Sequence, residues 1–115
     1  MKGKTSDKAR LQHILDAINE IENYTRNITI DEFSKSSEKK FASVKQLEII
    51  GEAASKITGD TKTDNPEFEW PKIIALRNLL VHEYYIIDAS IVWNIIMGDL
   101  PDLKEQIISL KNRIS

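Results

Sequence analysis

Pro71-Lys72-Ile73-Ile74-Ala75-Leu76-Arg77-Asn78-Leu79-Leu80-Val81-His82-Glu83-Tyr84-Tyr85-Ile86-Ile87 is the stretch on which the reading of this chain turns. It is apolar almost all round, and a proline at the first helical position is pre-organised for a helix start. At about 100° per residue, Ile73, Leu76 and Leu80 form one apolar face; Ile74, Val81 and Tyr85 form a second, roughly a third of a turn away. A bundle helix needs one stripe. The second stripe calls for another cover, and a second copy of the chain is the simplest. Into this helix the sequence puts Arg77, Asn78 and His82, whose burial costs energy that a purely structural helix avoids. Arginine offers a fixed, always charged fork for phosphate. Histidine takes and returns a proton near neutral pH. Asn78 and His82 are four apart and so are neighbours on the helix surface. Arg77 and His82 are five apart, roughly 140° around the axis. Two such helices crossing at a two-fold axis aim both side chains at one phosphate better than one helix does.

Helices are expected on both sides of this segment. Ser6 or Asp7 is a cap for a helix from about Lys8 to Arg26, with Leu11, Ile14, Leu15, Ile18 and Ile21 as its stripe and residues 1–6 as a frayed tail. His13 lies off that stripe and reads as a solvated surface histidine. Thr29-Ile30-Asp31-Glu32 is a capping box opening a short helix. A long helix is expected from about Glu38 to Thr58, its apolar face starting with Phe41, Val44, Leu47 and Ile50. Inside it stands Ile50-Gly51-Glu52-Ala53-Ala54-Ser55. A mid-helix glycine costs roughly 1 kcal/mol against alanine, so this patch predicts another backbone passing close, with Glu52 inside the contact. Gly59 to Glu69 reads as the one real loop, polar and exposed. Asp88 looks like the cap of a fourth helix, broken or kinked at Gly98-Asp99-Leu100-Pro101 before a last helix carrying Leu103, Ile107, Leu110 and Ile114. No stretch alternates with period two. The fold class is therefore all-α, a four- to five-helix antiparallel bundle forming a single domain over residues 1–115.

Composition narrows the function. With 115 residues, 41% hydrophobic and 30% charged, the chain has the balance of one soluble domain. It has no cysteine and two histidines, which rules out thiolate and histidine-rich metal sites; neither a metal nor a cofactor is expected. No apolar run approaches the roughly 18 residues of a membrane span, and no apolar segment follows the basic start as in a signal peptide, so a cytoplasmic location is expected. A net charge of −2 and a pI near 5.7 argue against a general nucleic-acid coat protein. Two local basic patches remain: Lys2, Lys4, Lys8 and Arg10 against Asp7, and Lys35, Lys39, Lys40 and Lys45 against Glu38. Each alone reads as a solvated helix face.

Arg77-x4-His82-Glu83-Tyr84, with Asn78 after the arginine, resembles the signature of HEPN domains, and most closely the HepT-like toxin branch. The likeness extends to Ile49-Ile50-Gly51-Glu52-Ala53-Ala54, Trp70-Pro71-Lys72-Ile73, Ile87-Asp88 and Val92-Trp93, and so to nearly the whole chain from about Leu11 to Leu110. The resemblance implies a homodimer through the Arg77–Tyr85 helix. It also implies a metal-independent endoribonuclease leaving 2′,3′-cyclic phosphate ends. Such an enzyme is the toxin of a type II or type VII-like toxin–antitoxin system, neutralised when a minimal nucleotidyltransferase antitoxin transfers AMP to Tyr84. Arg77, His82 and Asn78 are then the catalytic residues, with Glu52 and Glu83 in support. Two other readings fit the residues: a non-catalytic module receiving a nucleotide or partner at Arg77 and His82, and a plain dimeric helical scaffold.

Overall fold

The computed structural model describes residues 2–77 and 88–114. Among these, every regular element is a helix: α1 (Lys2–Thr25), α2 (Ile30–Lys35), α3 (Ser37–Ser55), α4 (Gly59–Asp64), α5 (Trp70–Ile74), α6 (Ala89–Asn94) and α7 (Leu100–Arg113), with a π-helical turn at Ile95–Asp99 joining the last two. Helices α1 and α3 run antiparallel. Asp7 at the start of α1 meets Thr58 just past the end of α3, and Lys39 at the start of α3 donates to the Tyr24 carbonyl near the end of α1. The C-terminal helix α7 is likewise antiparallel to α1. Lys104 pairs with Glu22 at 2.8 Å, and Lys111 donates to Gln12. The all-α bundle expected from the sequence is the one observed, and no helix among the described residues is long and apolar enough to cross a membrane.

The expected stripes are the core. Leu11, Ile14, Leu15, Ile18 and Ile21 of α1 are buried against Val44, Leu47 and Ile50 of α3 and Leu103, Ile107 and Leu110 of α7. Burying each such side chain stabilises the fold by about 1.5–3 kcal/mol. Phe41 departs from the expectation and is half exposed. The local signals hold. Thr29 and Glu32 form the reciprocal capping box, placing the fully buried Phe33 against Trp93, with ring centroids 5.3 Å apart. Asp88 Oδ1 accepts from the Ser90 and Ile91 amides. Pro101 does not break the chain of helices. Its missing N–H leaves the Met97 carbonyl without an α-helical donor, and the turn widens so that the Leu100 amide reaches the Ile95 carbonyl.

Two expectations are corrected together, by one side chain. Helix α1 begins at Lys2, so residues 2–6 are helical and Asp7 is not its cap. Instead the fully buried Asp7 carboxylate accepts from the Thr58 amide at 2.9 Å, the Thr58 hydroxyl at 2.7 Å and the Thr61 hydroxyl. Held in this way, Thr58 caps α4, which occupies the first half of the segment expected to be an exposed loop. The second half is also tied down. Asn65 donates to the Thr61 carbonyl, Trp70 Nε1 donates to the Asn65 carbonyl, and Phe68 stacks on Trp70 at 5.0 Å. Asn in place of Asp7 keeps the shape but removes charge-assisted acceptance and turns an NH₂ toward a donor. Asp7→Asn is expected to destabilise the fold by about 1–2 kcal/mol, read as a lowered urea midpoint; an unchanged midpoint would show that this carboxylate does not anchor α4.

Candidate functional site

The site is built where α3 and α5 cross. Gly51 is buried, and a Cβ placed on it would lie 2.5 Å from the Arg77 backbone nitrogen and 3.0 Å from the Ile74 carbonyl oxygen. The close backbone approach expected from the Gly-Glu-Ala-Ala patch is therefore present, and the passing backbone is that of Arg77 itself. The next residue, Glu52, points out of the contact and takes the Arg77 guanidinium: Nη1 donates to Oε1 at 3.1 Å. Lys56, one turn further along α3, approaches the other oxygen of Glu52 at 3.6 Å. The pair is not a buried one, since the Arg77 side chain is 38% exposed and that of Glu52 is 52% exposed. A pair this wet holds by roughly 1 kcal/mol at most, so Glu52 orients the fork of Arg77 without locking it away from a stronger anion.

Arg77 opens onto a cleft of about 680 Å³ between α1 and α3. Helix α1 contributes Arg10 and His13, three residues apart on one face; α3 contributes Lys45, Glu48, Glu52 and Lys56 along another. The lining thus holds four Lys or Arg side chains against two Glu, a surplus of two positive charges in a protein whose net charge is −2. Among the described residues no carboxylate pairs with Arg10 or Lys45, and Arg10 Nε is buried without a hydrogen-bond partner. A second cleft, of about 250 Å³, carries the opposite sign: Glu67, Glu69, Asp99 and Asp102 outnumber Lys72. Of the two, only the first suits a phosphate.

Of the residues singled out from the sequence, Arg77 and Glu52 are brought together. Asn78, His82, Glu83 and Tyr84 lie outside the described residues, as does the expected end of the central helix before Asp88. His13 is exposed, as expected, but it faces the cleft that Arg77 enters. Sequence reasoning did not join Arg10, Lys45 and Lys56 into one site, and Lys56 stands in neither basic patch. The signal of the other two was there in the two patches. It was divided, because each patch lends one residue to the cleft while others are spent elsewhere: Lys35 on Asp31 and Lys39 on the Tyr24 carbonyl.

Comparison with known proteins places these residues in a family. The family model described as "Ribonuclease HepT-like" matches residues 14–110, a span that includes Glu52 and Arg77 and begins just after His13. A Thermococcus cleftensis protein named "Probable ribonuclease HepT" is 36% identical over 108 residues, covering 94% of this chain and 98% of its own. A Methanocaldococcus jannaschii protein named "Putative RNase MJ1380" is 35% identical over 104 residues, covering 90% of this chain and 95% of its own. No solved structure matches the chain significantly.

Proposed function

This chain belongs to the HepT-like family, and from that premise we propose that it is a metal-independent endoribonuclease acting as the toxin of a toxin–antitoxin pair. The observation that carries the reading is the position of Arg77: a fork for phosphate, set by Gly51, aimed by Glu52, and open to the cationic cleft. The names of the relatives supply the substrate class. In the reaction, His82 takes the proton of a ribose 2′-hydroxyl, or gives one to the leaving 5′-oxygen. The 2′-oxygen bonds to the adjacent phosphorus, the 5′-oxygen leaves, and a 2′,3′-cyclic phosphate remains. Proton transfer of this kind contributes about 10²–10⁴-fold. Arg77 stabilises the charge that develops on the phosphoryl oxygens, and Asn78, four residues before His82 in sequence, orients the histidine or the phosphate. The working form is a homodimer with the Arg77–Tyr85 helix at the two-fold axis, the arrangement that covers the second apolar stripe and lets each copy lend its arginine to the other's histidine. The test is the cutting of a labelled single-stranded oligoribonucleotide in excess chelator, on a sample whose mass is read by light scattering. A dimer that cuts is expected; a monomer, or intact RNA, refutes the reading.

Regulation follows from Tyr84, seven residues from Arg77, a spacing that puts two residues on one face of a continuous helix. A tyrosine hydroxyl is ordinarily a poor base at pH 7, which leaves this one for another use. In the proposed transfer a nucleotidyltransferase antitoxin joins the Tyr84 hydroxyl oxygen to the α-phosphorus of ATP, the α–β phosphoanhydride bond breaks, and pyrophosphate and the phenol proton leave; the AMP brings phosphate charge beside Arg77 and fills the entry that RNA needs. Co-expression with that antitoxin is expected to add the mass of one or more AMP to Tyr84 and not to Tyr85. Tyr84→Phe is expected to fold and to escape this silencing. An adduct on any other residue, or a Tyr84→Phe protein still silenced covalently, overturns the assignment.

A further inference from the structure

The cleft reaches well past Arg77. Along α3 its cations are Lys45, seven residues before Glu52, and Lys56, four residues after it. Eleven residues of helix span roughly 16 Å, about five base rises of a stacked strand. One phosphate at Arg77 does not need this length, and a mononucleotide does not fill it. The antiparallel pairing of α1 with α3 sets Asp7 beside Thr58, so Arg10, less than one turn further on, stands near the Lys56 end. Positive charge therefore lies on both sides of Arg77, supplied by two different helices. Of the two carboxylates in the lining, Glu52 is already taken up by Arg77 and Lys56.

We propose that the cleft between α1 and α3 is a binding track for single-stranded RNA, in which Arg10, Lys45 and Lys56 hold the phosphates on either side of the one that Arg77 takes. The proposal rests on the ribonuclease reading for its occupant. A strand laid along α3 meets Lys45, Arg77 and Lys56 in series, with Arg10 closing from α1. Arginine binds phosphate through its fork and lysine as a point charge. Contacts of this kind position a backbone without reading its sequence. The track thus favours an extended strand over a mononucleotide, and it places the cut inside the strand instead of at its end.

The test uses the full-length protein and a single-stranded 2′-O-methyl oligoribonucleotide, which cannot be cut through a 2′-hydroxyl. Binding is read by fluorescence polarisation over a salt series. In the doubly substituted Arg10→Gln/Lys45→Gln protein the dissociation constant is expected to rise about tenfold. The slope of log K against log salt is expected to shrink by about 1.4, two phosphate contacts at about 0.7 each. Lys35→Gln, off the cleft and paired with Asp31, is the control and should bind like wild type. Because Arg10 Nε is buried, Lys45→Gln alone is the second arm. Lys45 is exposed, its loss should leave the melting temperature in place, and the slope should fall by about 0.7. Unchanged affinity and slope in both variants overturn the track, as does a wild-type protein that binds no RNA. An acidic polypeptide competing for the cleft while RNA binding ignores these substitutions would reassign it. Cleavage of the unmodified RNA is scored separately. Wild-type protein that cuts, with variants that bind normally, sinks the track and spares the ribonuclease; tight cleft-dependent binding without cutting does the reverse.

Discussion

The Arg77→Ala protein is expected to keep its fold and to cut RNA about 10²–10³-fold more slowly than wild type. The two halves of that expectation have different physical sources. What Arg77 gives the fold is its pair with Glu52, which is too exposed to contribute more than roughly 1 kcal/mol. What it is expected to give the proposed reaction is charge placed where the phosphoryl oxygens become more negative. Donors aimed at developing charge are worth about 2.7–4 kcal/mol each in the transition state. The loss should therefore show in the single-turnover rate and hardly in the melting temperature. A rate close to wild type would remove Arg77 from the chemistry. A protein that no longer folds would mean that the arginine holds the bundle together instead.

Gly51→Ala is expected to lower both stability and activity, against the helix-propensity trend. In mid-helix, alanine is better than glycine by about 1 kcal/mol, so propensity alone predicts a gain. The neighbours decide otherwise. The new Cβ would sit 2.5 Å from the Arg77 backbone nitrogen, 3.0 Å from the Ile74 carbonyl oxygen and 3.1 Å from the Arg77 Cβ. Two of these are backbone atoms, which cannot swing aside as a side chain can. Overpacking costs about 1–3 kcal/mol in ordinary cores; against backbone the upper end applies, leaving a net loss of about 2 kcal/mol. Relief requires α5 to move away from α3, and it takes Arg77 along. A displacement of about 1 Å at a positioning group can cost 10²-fold in rate. Gly98→Ala is the matched control, since nothing lies within 4 Å of a Cβ there. Urea midpoints and cleavage rates check both. A Gly51→Ala protein more stable than wild type and equally active would show that the contact does not set Arg77.

How much of this could be read from the sequence depends on distance along the chain. The Thr29–Glu32 box, the Asp88 cap and the stripes of α1 and α7 are encoded within a turn or two, and all were legible. Gly51 was legible as well, because a glycine inside a good helical pattern is anomalous by itself. Asp7 was misread because its partners, Thr58 and Thr61, lie 51 and 54 residues away. An acid near a helix start looks like a cap whether or not it is one. The same gap hid α4, whose polar composition suits a loop and whose order comes from a carboxylate on another helix. Arg10 and Lys45 were seen, but in separate patches. Only the antiparallel pairing of α1 with α3 puts 35 residues of sequence separation across one cleft. Phe41 shows the opposite error: its spacing fits the apolar face, yet it is left half exposed.

In the proposed reaction Arg77 and His82 move a phosphoryl group from the RNA 5′-oxygen to the ribose 2′-oxygen without a metal. The most direct measurement is the chemistry of the new RNA ends, made in excess chelator with wild type and His82→Ala side by side. Wild type is expected to leave 2′,3′-cyclic phosphate and 5′-hydroxyl ends, and His82→Ala to leave the RNA whole. Cleavage that requires added Mg²⁺, new 3′-hydroxyl ends, or a His82→Ala protein that cuts as fast as wild type would rule this reaction out.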